Sequence, residues 1–168
     1  SDMTAFAATQ LKLNFPASCA WDELLKLEPR MLARRADGVV TWLEDDDWRV
    51  RQRALTILCK LEPPTLAQHA GAVVARLEDD DRIVCLEALE TLGKLEPAML
   101  AQHAGAVVAR LEDSDLGVRN TALTLTTLGK LEPAVLAQHA QAVVGKLSDH
   151  VDFVREAALT TLLTLPLV

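Results

Sequence analysis

Leu66-Ala67-Gln68-His69-Ala70-Gly71-Ala72-Val73-Val74-Ala75-Arg76-Leu77-Glu78-Asp79 returns letter for letter as Leu100 to Asp113. A worn copy follows from Leu136 to Leu147, and a coarser one precedes from Leu32 to Leu43. A Leu-Glu-Pro signpost stands at Leu27, Leu61, Leu95 and Leu131, so the period is 34, 34 and then 36 residues. Repeats of that length are too short to close a core alone and must bury their apolar faces against one another. The chain is therefore read as one stacked array over residues 1–168. Its repeats run 28–61, 62–95, 96–131 and 132–165, after an atypical N-terminal cap at 1–27.

Each repeat carries two helical patterns. In the first, Pro63 takes an early position where its missing N–H costs nothing. Leu66, Ala70, Val73, Val74 and Leu77 then recur as one buried stripe. An acidic turn follows, Glu78-Asp79-Asp80-Asp81, whose aspartates suit the N-terminus of the next helix. That second helix spans about residues 82–95, with Val84, Ala88, Leu89, Leu92 and Leu95 inward, and Gly93 near its end. In the cap, Met3 to Leu13 reads as a short amphipathic helix, and Pro16 to Leu27 as a second one carrying Trp21. The third repeat holds two extra residues within 122–131. They would rotate a continuing helix by about 200°, so a bulge, kink or longer turn must absorb them. Leu162, Leu163, Leu165 and Val168 at the far end read as a face cut from a longer array.

Composition narrows function by exclusion. Half the residues are hydrophobic and only 4% aromatic, the aliphatic palette of packed helices. A net charge of −7 disfavours nucleic-acid binding, which needs Lys and Arg to neutralise phosphates. No apolar run approaches the length of a membrane span. Cys19, Cys59 and Cys85 lack metal-ligand spacing and read as reduced thiols, consistent with a cytoplasmic location. Ser1-Asp2 before Met3 reads as an expression remnant, with no targeting signal after it.

The second helices carry the frame Asp-x-x-Val-Arg-x-x-Ala-Leu, as Asp47, Val50, Arg51, Ala54 and Leu55, and again as Asp115, Val118, Arg119, Ala122 and Leu123. This frame resembles the HEAT-repeat family within the armadillo-type α-solenoids, over roughly Leu27 to Leu165. The resemblance implies an all-α, right-handed solenoid with first helices on the convex side and second helices lining a concave groove. It also implies an Asp–Arg ladder, here Asp47 with Arg51, Asp81, Asp115 with Arg119, and Arg155. Cys85 and Val151 depart from it, in place of an Arg and an Asp. Relatives that hold iron through His-Glu pairs find no such dipeptide here, and the basic, aromatic groove of HEAT-like glycosylases is absent.

Other clusters have plain structural readings. His69, His103 and His139 share a repeat position, one layer apart. Packed helices lie about 8–10 Å apart, whereas zinc ligands need about 2 Å, so the column reads as packing and no metal is expected. The acidic turns lack the alternating ligands and glycine of a calcium loop and read as helix caps. Arg30, Arg34, Arg35, Arg49, Arg51 and Arg53 form one local basic patch in sequence.

The informative pattern is the difference between copies. First helices are nearly copied, surface included, with Gln68, Gln102 and Gln138 in register. Second helices keep their stripe and vary elsewhere. Trp48, Arg49, Arg53, Ile83, Leu86, Glu87, Asn120, Phe153 and Glu156 are the expected partner contacts. The expected function is a non-enzymatic scaffold gripping a protein or peptide, without cofactor, as a monomer or part of a longer array. The alternative is a cofactor handler on the same fold, such as a lyase-like tetrapyrrole binder.

Overall fold

The computed structural model describes residues 18–124 and 127–165, so the expected Met3 to Leu13 helix lies outside the described residues. Among the described residues there is no strand. Helix α1 (Ser18–Lys26) leads into α2 (Pro29–Ala33), α3 (Ala36–Val40) and α4 (Trp48–Leu58). Helices α5 (Pro63–Ala75) and α6 (Arg82–Leu92) follow, then α7 (Pro97–Ala101), α8 (Ala104–Ala109) and α9 (Leu116–Leu123). The series closes with α10 (Pro133–Gln138), α11 (Ala140–Gly145) and α12 (Asp152–Leu162). Helices α4, α6, α9 and α12 pack in a row, each against the next, and the first-helix segments form the layer beneath them. This is an all-α solenoid.

Local chemistry sets the helix starts. Pro29, Pro63, Pro97 and Pro133 open the first arms, where the missing N–H leaves no bond unmade. Asp47, Asp81 and Asp115 cap α4, α6 and α9 by accepting from the amides of Arg49, Ile83 and Gly117. Between them the stripes are buried as the periodicity predicts: Leu66, Ala70, Val73 and Leu77 below, Val84, Ala88, Leu89 and Leu92 above. Val74 is only partly buried.

The first arm departs from a single helix. It runs unbroken as α5, but is divided at Arg34 and Arg35, at Gln102 and His103, and at His139. His103 and His139 sit at the breaks with φ −113° and −110°. Leu66 to Asp79 and Leu100 to Asp113 are identical in sequence, while the helical turn before them differs, Pro64-Thr65 against Ala98-Met99. Gly93 closes its helix as expected, though not through a conformation reserved for glycine. It ends α6 with φ −61°, an ordinary right-handed value, and Cys59 and Leu163 do the same for α4 and α12.

The extra residues of the third repeat end α9 early. Thr124 turns to extended backbone (ψ 165°), and a short 3-10 turn, Leu128–Lys130, restores the path. Thr127 is buried, with Oγ1 donating to the carbonyls of Thr121 (2.5 Å) and Ala122 (2.6 Å), which the shortened helix leaves open. Among the described residues, α9 thus ends at Leu123 and helical structure resumes at Leu128.

Two series of polar rungs tie the layers together. Arg76 Nη1 donates to the Leu43 carbonyl at 2.7 Å and Arg110 Nη1 to that of Leu77 at 3.0 Å. Lys146 meets Glu112 at 2.9 Å one layer on. The second series corrects the implied ladder. Arg51 forks onto Asp79, not Asp47, with Nε and Nη2 each 2.7 Å from a carboxylate oxygen. Arg119 forks onto Asp149, not Asp115, at 2.9 and 3.1 Å. Arg155 bonds the Asp149 carbonyl and the Asp152 carboxylate. The rung carboxylate thus stands two residues before the cap position; Arg51 and Arg119 each reach into the following repeat, whereas Arg155 bonds within its own. The cap aspartates Asp47, Asp81 and Asp115 accept from amides of the helix they start; Asp79 and Asp149 accept a loop amide through Oδ1 and face back along the stack to receive the arginine fork.

These rungs make the fold acid-sensitive. Burial pushes the Asp79 carboxyl up, but the Arg51 fork and the Asp81 amide outweigh it and hold it below the ordinary carboxylate range. At Asp149 the Arg119 fork, opposed by burial, depresses the carboxyl likewise. Groups with depressed folded values stabilise above the unfolded value of about 3.9 and lose that contribution as pH falls through the folded value. Denaturation midpoints should therefore drop progressively below about pH 5. Asp149→Asn should give a shallower acid slope; a slope equal to the parent's would show that the rung carboxylate is not responsible.

Candidate functional site: the second-helix face

The row α4–α6–α9–α12 presents the side chains that vary between repeats. At its N-terminal end Trp48 is half-buried and the Arg49 guanidinium lies 4.9 Å from its ring centroid. Arg53 covers Trp21 at 5.7 Å, and Trp21 meets Trp42 edge-on at 4.7 Å. These contacts fix two cations over aromatic faces. The basic patch read from sequence is divided: Arg51 is a ladder member, and Arg30, Arg34 and Arg35 are exposed on the first arm.

Further along, Ile83 is 37% exposed on α6 and Phe153 44% exposed on α12. Glu156 is exposed, and Asn120 is half-buried on α9. Leu86 and Glu87 behave differently. Leu86 is partly buried against the core, beside Gly117 of the next helix, where a Cβ would come within 3.8 Å of it. Glu87 is half-buried and accepts from Thr56 Oγ1 at 2.9 Å across the α4–α6 seam. Burial raises its carboxyl above the ordinary range, against that hydrogen bond. Both side chains therefore serve the seam between second helices as well as the face. Gly117 also has a structural reason to be glycine, since a Cβ would stand 2.9 Å from the capping Asp115 Oδ1.

The sequence reading missed Leu116, which is 45% exposed at the start of α9. It stands two periods after Trp48, and carrying Trp48 forward would have found it. Arg82, one period after Trp48, reaches Asp115 Oδ2 at 3.0 Å. The exposed apolar side chains Ile83, Leu116 and Phe153 thus fall on the first turns of three successive second helices.

The remaining candidates resolve as follows. His69 Nδ1 lies 4.0 Å from Asp37 Oδ1, and His103 and His139 stand at the first-arm breaks. No group of three or more His, Cys, Asp or Glu among the described residues is placed to hold a metal ion. Burial pushes the thiols of Cys59 and Cys85 up, away from the thiolate that nucleophilic chemistry requires. Among the described residues no helix is long and apolar enough to cross a membrane.

No protein-family model matches the sequence, and no curated protein is significantly similar to it. Solved structures share its architecture. A designed armadillo repeat protein in complex with the peptide (KR)4 aligns over 98% of this chain and 82% of its own, at 14% identity and TM-score 0.69. Computationally designed armadillo repeat proteins for modular peptide recognition align over 83% and 70%, at 14% identity and TM-score 0.64. An engineered protein aligns over 82% of this chain at 16% identity and TM-score 0.62, and this chain covers 66% of that one. The fold is that of the armadillo-type repeat proteins, an α-solenoid of stacked helical units.

Proposed function

We propose that the chain is a non-catalytic, cytoplasmic scaffold that binds a protein or peptide along its second-helix face. The repeats are read as HEAT-like, framed at 28–61, 62–95, 96–131 and 132–165 after the cap, with the second helices lining the concave side. The observation that carries this reading is the contrast between faces. Gln68, Gln102 and Gln138 repeat unchanged on three first arms, whose variation is concentrated in the first turn at Met31, Thr65, Met99 and Val135, whereas second helices offer exposed and mutually different side chains at several equivalent places.

Ile83 and Phe153 are the apolar anchors, with Trp48, Arg49 and Arg53 at the N-terminal end and Asn120 and Glu156 as polar contacts. Leu86 and Glu87 complete the face from the seam. A preformed row of rigid helices orders few side chains on binding, which is where such a scaffold gains affinity. The designed armadillo repeat protein solved with (KR)4 supports a peptide as the partner class. The net charge of −7 supports a partner other than nucleic acid.

The test uses any partner recovered by pull-down. Phe153→Ala and Ile83→Ala should each weaken binding by about 2 kcal/mol, roughly thirtyfold, as truncated anchors do. Gln102→Ala should leave it unchanged. Loss confined to the Gln102 variant would place the site on the first-arm surface.

A further inference from the structure

The ladder has a missing rung, and we infer that the gap is a binding site for a guanidinium group. Both neighbouring intervals show what such a site requires. Arg51 places Nε and Nη2 on the Asp79 carboxylate and Nη1 on the carbonyls of Asp45 (2.8 Å) and Asp46 (3.1 Å). Arg119 repeats the pattern on Asp149, with Nη1 on the carbonyls of Asp113 (2.9 Å) and Ser114 (3.1 Å). One carboxylate and two consecutive loop carbonyls thus receive one planar fork.

The interval between them keeps the acceptors and lacks the fork. Asp113 stands where Asp79 and Asp149 stand, and Asp79 and Asp80 offer the two carbonyls. The residue equivalent to Arg51 and Arg119 is Cys85, whose Sγ donates to the Asp79 carbonyl at 3.2 Å and stops there. The Asp113 side chain is 19% exposed, against 3% for Asp79 and 5% for Asp149, so solvent enters where the fork would lie. A recess of about 390 Å³ opens at this place, lined by Asp79, Asp80, Arg82, Cys85 and Asp113 among others; the filled Arg51–Asp79 rung borders one of about 410 Å³, so it is the exposure of the carboxylate, not the recess, that marks the missing fork. The remaining contacts of Asp113 match those of Asp79: a loop amide (2.9 and 3.0 Å) and a more distant arginine of the other rung series (3.7 and 3.8 Å). What differs is the guanidinium of the fork, together with Arg82, which stands where Trp48 stands one repeat earlier and is held on Asp115 Oδ2 at 3.0 Å.

Planar geometry sets the selectivity. A guanidinium bonds a carboxylate side-on while presenting a further N–H pair, whereas an ammonium is a point charge and cannot copy the fork. The ligand is a free guanidinium-type cation or the arginine side chain of a partner. This site lies at the acidic loop edge and does not depend on the second-helix face binding anything.

Amide chemical shifts followed during titration with guanidinium chloride, at constant ionic strength, test the inference. Saturable shifts are expected at Cys85, Asp113 and Ser114, with half-saturation on the order of 1–10 mM. Ammonium chloride should produce none. Cys85→Arg supplies the fork internally and should abolish the response while raising Tm by roughly 2–6 °C. Asp113→Asn removes the carboxylate, should abolish it too, and serves alone if Cys85→Arg fails to fold. N-acetyl-arginine methylamide distinguishes the sources: binding assigns arginine side chains, and binding of guanidinium alone assigns a small free cation. Linear, unsaturable shifts in the parent, equal shifts with ammonium, or saturation persisting in Asp113→Asn would overturn the site.

Discussion

Replacing Arg119 with alanine is expected to destabilise the protein by about 3–5 kcal/mol, the cost of breaking one side of a buried charge pair. Arg119 is 6% exposed and Asp149 5%, and the fork satisfies both carboxylate oxygens and two loop carbonyls. Removing it leaves a buried carboxylate without its partner and two carbonyls without that donor. Arg53→Ala is the comparison. Arg53 is half-buried over Trp21 at 5.7 Å, and a stacked cation near the surface contributes about 0.5–1 kcal/mol. Denaturant titrations should rank Arg119 well above Arg53; the reverse order would remove the ladder from the account of stability.

Shortening the chain to end at Leu95 should have the second large effect. Helix α6 packs against α4 on one side and α9 on the other, and Leu86 lies across Gly117 of α9. In a stacked array each unit is stabilised by its neighbours, so losing α9 uncovers one flank of α6. Each large aliphatic side chain so uncovered costs about 1.5–3 kcal/mol. Melts followed by circular dichroism should show a much lower midpoint for the shortened chain, and equal midpoints would mean that the units are stable independently.

The repeat period and the buried stripes were legible because both depend on spacing within one unit. Leu66, Ala70, Val73 and Leu77 needed only a helical period to be placed inward, and they are inward. The ladder was legible as chemistry and wrong in register. In Asp45-Asp46-Asp47 three adjacent carboxylates are equivalent on paper; only the turn decides that the third caps its helix while the position of the first faces the preceding repeat. Leu86 and Glu87 point outward on the wheel of a single helix, yet the next helix in the row meets Leu86 at Gly117 and the preceding one meets Glu87 through Thr56. Contacts between layers are invisible to a one-helix wheel.

The central functional claim is that ligands sit on the second-helix face. The most direct measurement is a chemical-shift map of the isotope-labelled protein with a peptide selected from a random library for binding it. The account predicts shifts along Arg49, Arg53, Ile83, Leu116, Phe153 and Glu156, with Gln68, Gln102 and Gln138 unmoved. Shifts confined to those three glutamines and their neighbours on the first arms would contradict it.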